Sequence, residues 1–235
     1  MHTIVALDAQ AVQASVRVVS LVADDDLARA TPCGDWTLAE LIAHMTMQHD
    51  GFAAAAAGDG ADLSRWHPRP PAAHPVGEYT EAAARVVAAF GGDGVLDREF
   101  ALPELSPRLR FPAAQAIGFH LVDYVVHGWD VARSLGLEYQ LEPGLLAAAL
   151  AVARKVPDGE GRRRPGAAFA PRVTAVGDGN ALDEIVALLG RRPGWPELPL
   201  RHERAADGRG RHRGRAGRVG HGVGPGQPEP FGHGP

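Results

Sequence analysis

Between Gly118 and Asp130, a stretch that otherwise reads as a buried helix carries two histidines and two aspartates: His120, Asp123, His127 and Asp130. Each residue of an α-helix advances by about 100°. Asp123 and His127, four apart, therefore share one face, with His120 roughly one turn further back on the same stripe. A carboxylate and an imidazole projecting together from an apolar helix are costly unless something pairs them, and a divalent metal ion would do so. A metal site in a helical bundle draws further ligands from a facing helix. The candidate there is His44, set among apolar neighbours in Leu41-Ile42-Ala43-His44-Met45. Two imidazoles and one carboxylate leave a position open for water or substrate, the pattern of a catalytic rather than a structural site. That donor set suits Zn²⁺ first, with Ni²⁺ or Fe²⁺ as alternatives. It suits Mg²⁺ and Ca²⁺ poorly, because those ions prefer all-oxygen shells.

The same residues also have plainer readings. His44 reads as a core histidine with its hydrogen bonds satisfied, and Asp123 with His127 as an internal hydrogen-bonded pair. His49, between Gln48 and Asp50, fits a solvated position, or one supporting a ligand from behind, better than a ligand position. Asp130 could orient His127 or pair with Arg133. Cys33, in a loop and with no implied histidine partner, is not expected to be a nucleophile.

The elements that must position these groups are helical. Val12, Val16, Val19, Val22 and Leu27 recur at helix-like spacing and predict a first helix from about Leu7 to Arg29. Thr31-Pro32-Cys33-Gly34-Asp35 is a loop, and Thr37-Leu38-Ala39-Glu40 has the form of a capping box. The helix it opens carries Leu38, Leu41, Ile42, Met45 and Phe52 and stops at Gly58. A loop from Trp66 to Pro75 leads to a third helix, Val76 to Phe90, closed by Gly91-Gly92. Residues 93–111 read as irregular, with a short strand or turn near Phe100 to Leu102. The fourth helix starts near Pro112, a good first-turn residue, and runs to Leu135 with Gly136 as its stop. Its internal Gly118 and Gly128 each cost about 1 kcal/mol against alanine and are expected to permit close packing. Shorter helices, Pro143 to Lys155 and Leu182 to Leu189, follow. The expected fold is all-α: a four-helix bundle with extra short C-terminal helices.

At 235 residues and 45% hydrophobic composition the chain can bury a real core, and it has no apolar span long enough for a membrane helix. The start shows no basic region followed by a long apolar stretch, so no secretory signal is expected. A single cysteine excludes an internal disulfide framework. A cytoplasmic location is the default. Lys155 is the only lysine and Asn180 the only asparagine, a bias of GC-rich genomes. The net charge of −4 is unevenly spread, for residues 201–235 hold seven arginines against three acids. The acidic body argues against a nucleic-acid partner. Domain organisation is expected as a folded body over 5–195 and a low-complexity Arg/Gly/His/Pro tail over 196–235. The tail is too poor in apolar side chains to fold, and out-of-frame translation of GC-rich DNA would give the same composition. Its histidines, His202, His212, His221 and His233, are too dispersed to form a metal site.

Two segments carry a resemblance. Thr31-Pro32-Cys33-Gly34-Asp35-Trp36-Thr37-Leu38-Ala39-Glu40-Leu41-Ile42-Ala43-His44 resembles the start of the second helix in the DinB-like superfamily. It is most similar to the actinobacterial branch related to mycothiol-dependent maleylpyruvate isomerase. The segment from Gly118 to Arg133 resembles that branch's metal-binding helix. The closing Leu188-Leu189-Gly190-Arg191-Arg192-Pro193-Gly194-Trp195 is similar to the way such chains finish. The resemblance covers residues 5–195. It implies a four-helix bundle that holds one divalent metal through His44, Asp123 and His127. The acid is aspartate here where the isomerase has glutamate, a reach shorter by one methylene. It also implies a low-molecular-weight thiol, mycothiol in actinobacteria, as cosubstrate. The isomerase carries a second folded domain after the bundle, whereas about sixty residues separate Gly136 from Trp195 here. Isomerisation of maleylpyruvate itself is therefore not expected.

The leading expectation is a metal-dependent thiol transferase or isomerase-like enzyme acting on an electrophile, with His120 as proton shuttle because its ordinary pKa lies near neutrality. The alternative is a non-catalytic, metal-stabilised domain that binds or senses a small ligand. Hydrolysis by metal-bound hydroxide ranks third, with Asp130 or His49 as its base. The expected partners are a small-molecule thiol and an electrophilic substrate, without nucleic acid or membrane, and a homodimer is allowed.

Overall fold

The helices of the computed structural model begin and end where local chemistry says they should. The structure describes residues 3–34, 36–164, 167, 169–174 and 180–196. These all belong to the first of two units, 1–198 and 199–235. Beyond Pro196 the expected tail lies outside the described residues.

Helix α1 spans Ile4–Val19, capped by the Thr3 hydroxyl. Helix α2, Leu38–Ala57, opens on the expected box: the Thr37 hydroxyl accepts from the Glu40 amide and the Glu40 carboxylate from the Thr37 amide. Helix α3 is Pro75–Phe90, α4 is Ala113–Ser134, α5 is Pro143–Ala153 and α6 is Ala181–Leu188. Packing is α1 on α4, α2 on α3, α1 on α3 and α2 on α4, which closes a four-helix ring; α5 and α6 pack together and α5 leans on α1 and α4. The all-α expectation holds.

Two differences from the sequence reading have physical causes. Helix α1 ends at Val19 rather than near Arg29. The Ser20 hydroxyl donates to the Arg17 carbonyl, and three consecutive acids, Asp24–Asp26, would lie badly at the negative end of a longer helix dipole. They form a separate 3₁₀ turn instead. The strand expected near Phe100 is β1, Glu99–Ala101, and it pairs antiparallel with a strand that the sequence did not reveal, β2, Arg110–Pro112, with Phe100 opposite Phe111. Three residues ending in proline carry no readable alternation.

The ring encloses two apolar clusters. The larger joins Leu41, Ile42 and Met45 of α2 to Leu121, Val125 and Trp129 of α4 and to α1, α5 and α6. The smaller gathers Phe52, Trp66, Phe90, Phe100 and Ile117. The two helix glycines differ. A Cβ on Gly128 would lie 2.6 Å from Tyr139 Cζ, so this position does permit a close approach. A Cβ on Gly118 would meet only Val152 at an ordinary 3.5 Å.

Candidate metal centre

Helices α2 and α4 lie side by side, and this adjacency brings His44 to Asp123 and His127. One ligand atom from each of the three converges so that all lie within 4.8 Å of one another. His127 Nε2 stands 3.4 Å from Asp123 Oδ1. Ligands about 2.0–2.1 Å from a tetrahedral ion are about 3.4 Å apart, so this pair already has the spacing such an ion needs. The His44 and His127 rings meet edge to face at 5.3 Å. His127 is buried, while His44 and Asp123 are half-buried and leave one side open. On that side Trp36 is 37% exposed, its ring 4.7 Å from His44.

Outer contacts fix the histidine. His127 Nδ1 is 3.0 Å from Asp130 Oδ2. Burial by itself would raise the Asp130 carboxyl, but the Arg191 guanidinium and His127 outweigh it and hold it below the usual carboxylate range. An ionised carboxylate only accepts, so the Nδ1–H of His127 donates to it and Nε2 is the ring nitrogen turned to the other side. Nε2 faces the Asp123 oxygen, a pair between which a cation could be held. A proton is disfavoured at His44, which burial first and the neighbouring His127 next push down to about 4.

Arg191, just beyond α6, holds this assembly. Its guanidinium reaches Asp130 Oδ2 at 3.1 Å, donates to the Leu189 carbonyl at 3.0 Å and to Cys33 Sγ at 3.1 Å. Gly190, with φ of +83° and Ala170 O 2.6 Å from where a Cβ would stand, turns the chain out of α6 so that Arg191 points inward. Cys33 sits where the Thr31 hydroxyl receives its amide and bonds the Trp36 carbonyl. Burial pushes its thiol up to about 12, with Arg191 opposing, so Cys33 is no nucleophile at neutral pH. Of the two partners considered for Asp130, the structure supplies the His127 contact, while Arg133 turns away to the Trp195 carbonyl at 2.6 Å. Arg191 was legible only as part of a closing motif, since nothing local marks an arginine as the partner of an aspartate 61 residues away.

Gln48, one turn beyond His44 on the same helix face, donates to Glu104 Oε2 at 2.7 Å. Partial burial, with the Asp123 charge adding to it, pushes the Glu104 carboxyl up despite the Gln48 bond.

His120 and His49 lie elsewhere. His120 is fully buried, with Nδ1 2.7 Å from Asp8 Oδ1 and Nε2 3.1 Å from His49 Nδ1. Both its ring nitrogens are therefore engaged away from the triad. His49 is fully buried rather than solvated, stacked on Tyr124 at 3.8 Å, and burial holds it neutral, well below the usual histidine range. Burial raises Asp8 in turn, against the influence of His120. Asp8 Oδ2 and His49 Nε2 have no hydrogen-bond partner among the described residues.

The sequence profile of the mycothiol maleylpyruvate isomerase N-terminal domain matches residues 9–132, which carry His44, Asp123 and His127. The chain belongs to that family. Two relatives from strains of Mycobacterium tuberculosis, the uncharacterized proteins Rv0738 and MT0763, are each 30% identical over 187 residues, covering 77% of this chain and 94% of their own. Crystal structures of the mycothiol-dependent maleylpyruvate isomerase and of a histidine-to-alanine variant superpose with TM-scores of 0.47 and 0.48 at 15% and 14% identity. Each match covers 65% of this chain and 70% of the other. Cys33, Trp36 and Asp130 fall inside the family's span, whereas Arg191 lies outside it. Among the described residues no helix is long and apolar enough to cross a membrane.

Proposed function

We propose that this family member is a divalent-metal-binding bundle protein that uses a low-molecular-weight thiol, mycothiol, as cosubstrate in transferase or isomerase-like chemistry on a small electrophile in the cytoplasm. The observation that carries the reading is the convergence of His44, Asp123 and His127, with His127 Nε2 3.4 Å from Asp123 Oδ1. Two nitrogens and one oxygen fit Zn²⁺ best, with Ni²⁺ or Fe²⁺ as alternatives. An ion held there would act as a Lewis acid and lower the pKa of a thiol in its open position, making thiolate available at neutral pH.

The chain's own groups divide the remaining work. Asp130, fixed by Arg191, keeps His127 in the tautomer that presents Nε2. Trp36 offers a flat apolar surface beside His44 for the organic part of a ligand. The buried face of α4 keeps water from the inner side of the triad. Glu104, tethered by Gln48 and near enough for the Asp123 charge to act on it, would take and return a proton, whereas His120 would need to release Asp8 or His49 to do so.

A Co²⁺-substituted protein tests the reading. Added small thiol should bring in a thiolate-to-cobalt charge-transfer absorption in wild type and none in His127→Ala. A cobalt spectrum indifferent to thiols would mark a closed site and favour the non-catalytic binding domain.

A further inference from the structure

A second donor set lies back to back with the triad. Cys33, His127 and Asp130 also converge, one ligand atom from each within 4.8 Å of the others. The two sets share His127, whose Nε2 faces Asp123 at 3.4 Å and whose Nδ1 faces Asp130 at 3.0 Å. A thiol, an imidazole and a carboxylate are as good a donor set for zinc as the first. Among the described residues, only the second set already contains a cation. Arg191 Nη2 is 3.1 Å from Cys33 Sγ and 3.1 Å from Asp130 Oδ2, and the side chain is 4% exposed. A guanidinium is permanently charged, planar and donor-only, so it satisfies both atoms and leaves neither room nor favourable field for a metal ion.

We propose that Arg191 is the resident cation of a latent Cys33–His127–Asp130 metal site, closing that site and confining the metal to the Nε2 side of His127. This rests on the reading of His44, Asp123 and His127 as the metal ligands. Arg191 is thus a positioning residue. It holds the Asp130 carboxylate against His127 Nδ1, and it keeps Cys33 from capturing an ion that must keep a position open for an exogenous thiol. The segment after α6, whose sequence contains no ligand of the triad, thereby governs which face of one histidine is used.

The test titrates Co²⁺ alone into the metal-free full-length chain. Wild type should show cobalt d–d bands without thiolate charge transfer. Arg191→Met should gain a near-ultraviolet thiolate-to-cobalt band that a further Cys33→Ser removes, and its original site should weaken by about 10- to 100-fold. A folded Arg191→Met protein with wild-type affinity and no thiolate band would overturn the proposal, as would a thiolate band in wild type. Should Arg191→Met fail to fold, Arg191→Lys carries the test without metal. The ¹⁵N shifts of the His127 ring should report Nδ1–H in wild type and a tautomer mixture in the lysine variant; unchanged shifts would contradict the role. Wild type that takes up no Co²⁺ would overturn the triad reading, while the ¹⁵N comparison would still decide whether Arg191 positions His127.

Discussion

Helices α2 and α4 each contribute histidine to two clusters of nearly the same composition, and the clusters have opposite character. At one, His44 and Asp123, both half-buried, meet the buried His127 with one side open. At the other, His49 meets His120, which is bonded to Asp8 of α1, with all three buried and Tyr124 and Phe52 packed over the rings. In the second cluster the polar atoms pair in a line, nitrogen to nitrogen to carboxylate, which leaves only the outer atoms, His49 Nε2 and Asp8 Oδ2, without a partner among the described residues. In the first they converge on a point, where one divalent ion would satisfy them together. Convergence and access, not residue type, separate a site from a polar core.

The comparison breaks most visibly through the closed cluster. Asp8→Ala leaves His120 Nδ1 buried and unpaired and should cost about 3 kcal/mol in urea unfolding while metal content stays unchanged. His44→Ala should do the reverse, abolishing tight metal binding while the metal-free fold shifts by no more than about 1 kcal/mol. If Asp8→Ala lost the metal and His44→Ala kept it, the two roles would be exchanged.

Packing beside the open cluster can be tested through the α4 glycines. Gly128→Ala drives a Cβ into Tyr139 and should destabilise by about 2 kcal/mol. Gly118→Ala meets ordinary contact and should gain up to about 1 kcal/mol from helix propensity. Equal effects in thermal unfolding would show that Tyr139 does not pack on Gly128.

Acid sharpens the comparison further. His49 is held neutral in the fold, and His44 protonates only at about 4. Once unfolded, both take up protons below about pH 6.5. The unfolded chain then binds more protons, so the metal-free protein should lose up to about 1.4 kcal/mol per pH unit for each histidine as pH falls from 6.5 toward 4. Asp8, raised by burial, opposes this, because the native state takes up its proton at higher pH than the unfolded chain. His44→Ala should flatten the slope by one histidine's share; an unaltered slope would mean that His44 is free to protonate in the fold. The smallest effect is local: Thr37→Ala removes the cap of the helix that carries both His44 and His49 and should cost about 1 kcal/mol.

Much of this was legible in the sequence where the signal is local. The Thr37–Glu40 box, the proline start of α5, and the stop at Gly58 set helix ends by chemistry within a few residues. The four-residue spacing of Asp123 and His127 placed them on one face, and His44 stood out as a histidine among apolar residues on a facing helix, a choice the family resemblance then repeated. Periodicity overran α1, because Val22 and Leu27 continue an apolar pattern that the backbone abandons at Ser20. The pairing of Asp8 with His120, 112 residues apart, and of Arg191 with Asp130 depends on packing across the bundle, for which neither spacing nor composition holds a trace.

The most direct measurement is Zn²⁺ binding to the metal-free full-length chain, compared among wild type, His44→Ala and His49→Gln by calorimetry and elemental analysis. Wild type and His49→Gln should each hold about one tightly bound ion, and His44→Ala should retain only weak, nonstoichiometric uptake. A tight equivalent that survives His44→Ala, or disappears in a folded His49→Gln, would contradict the assignment of the open cluster as the metal centre.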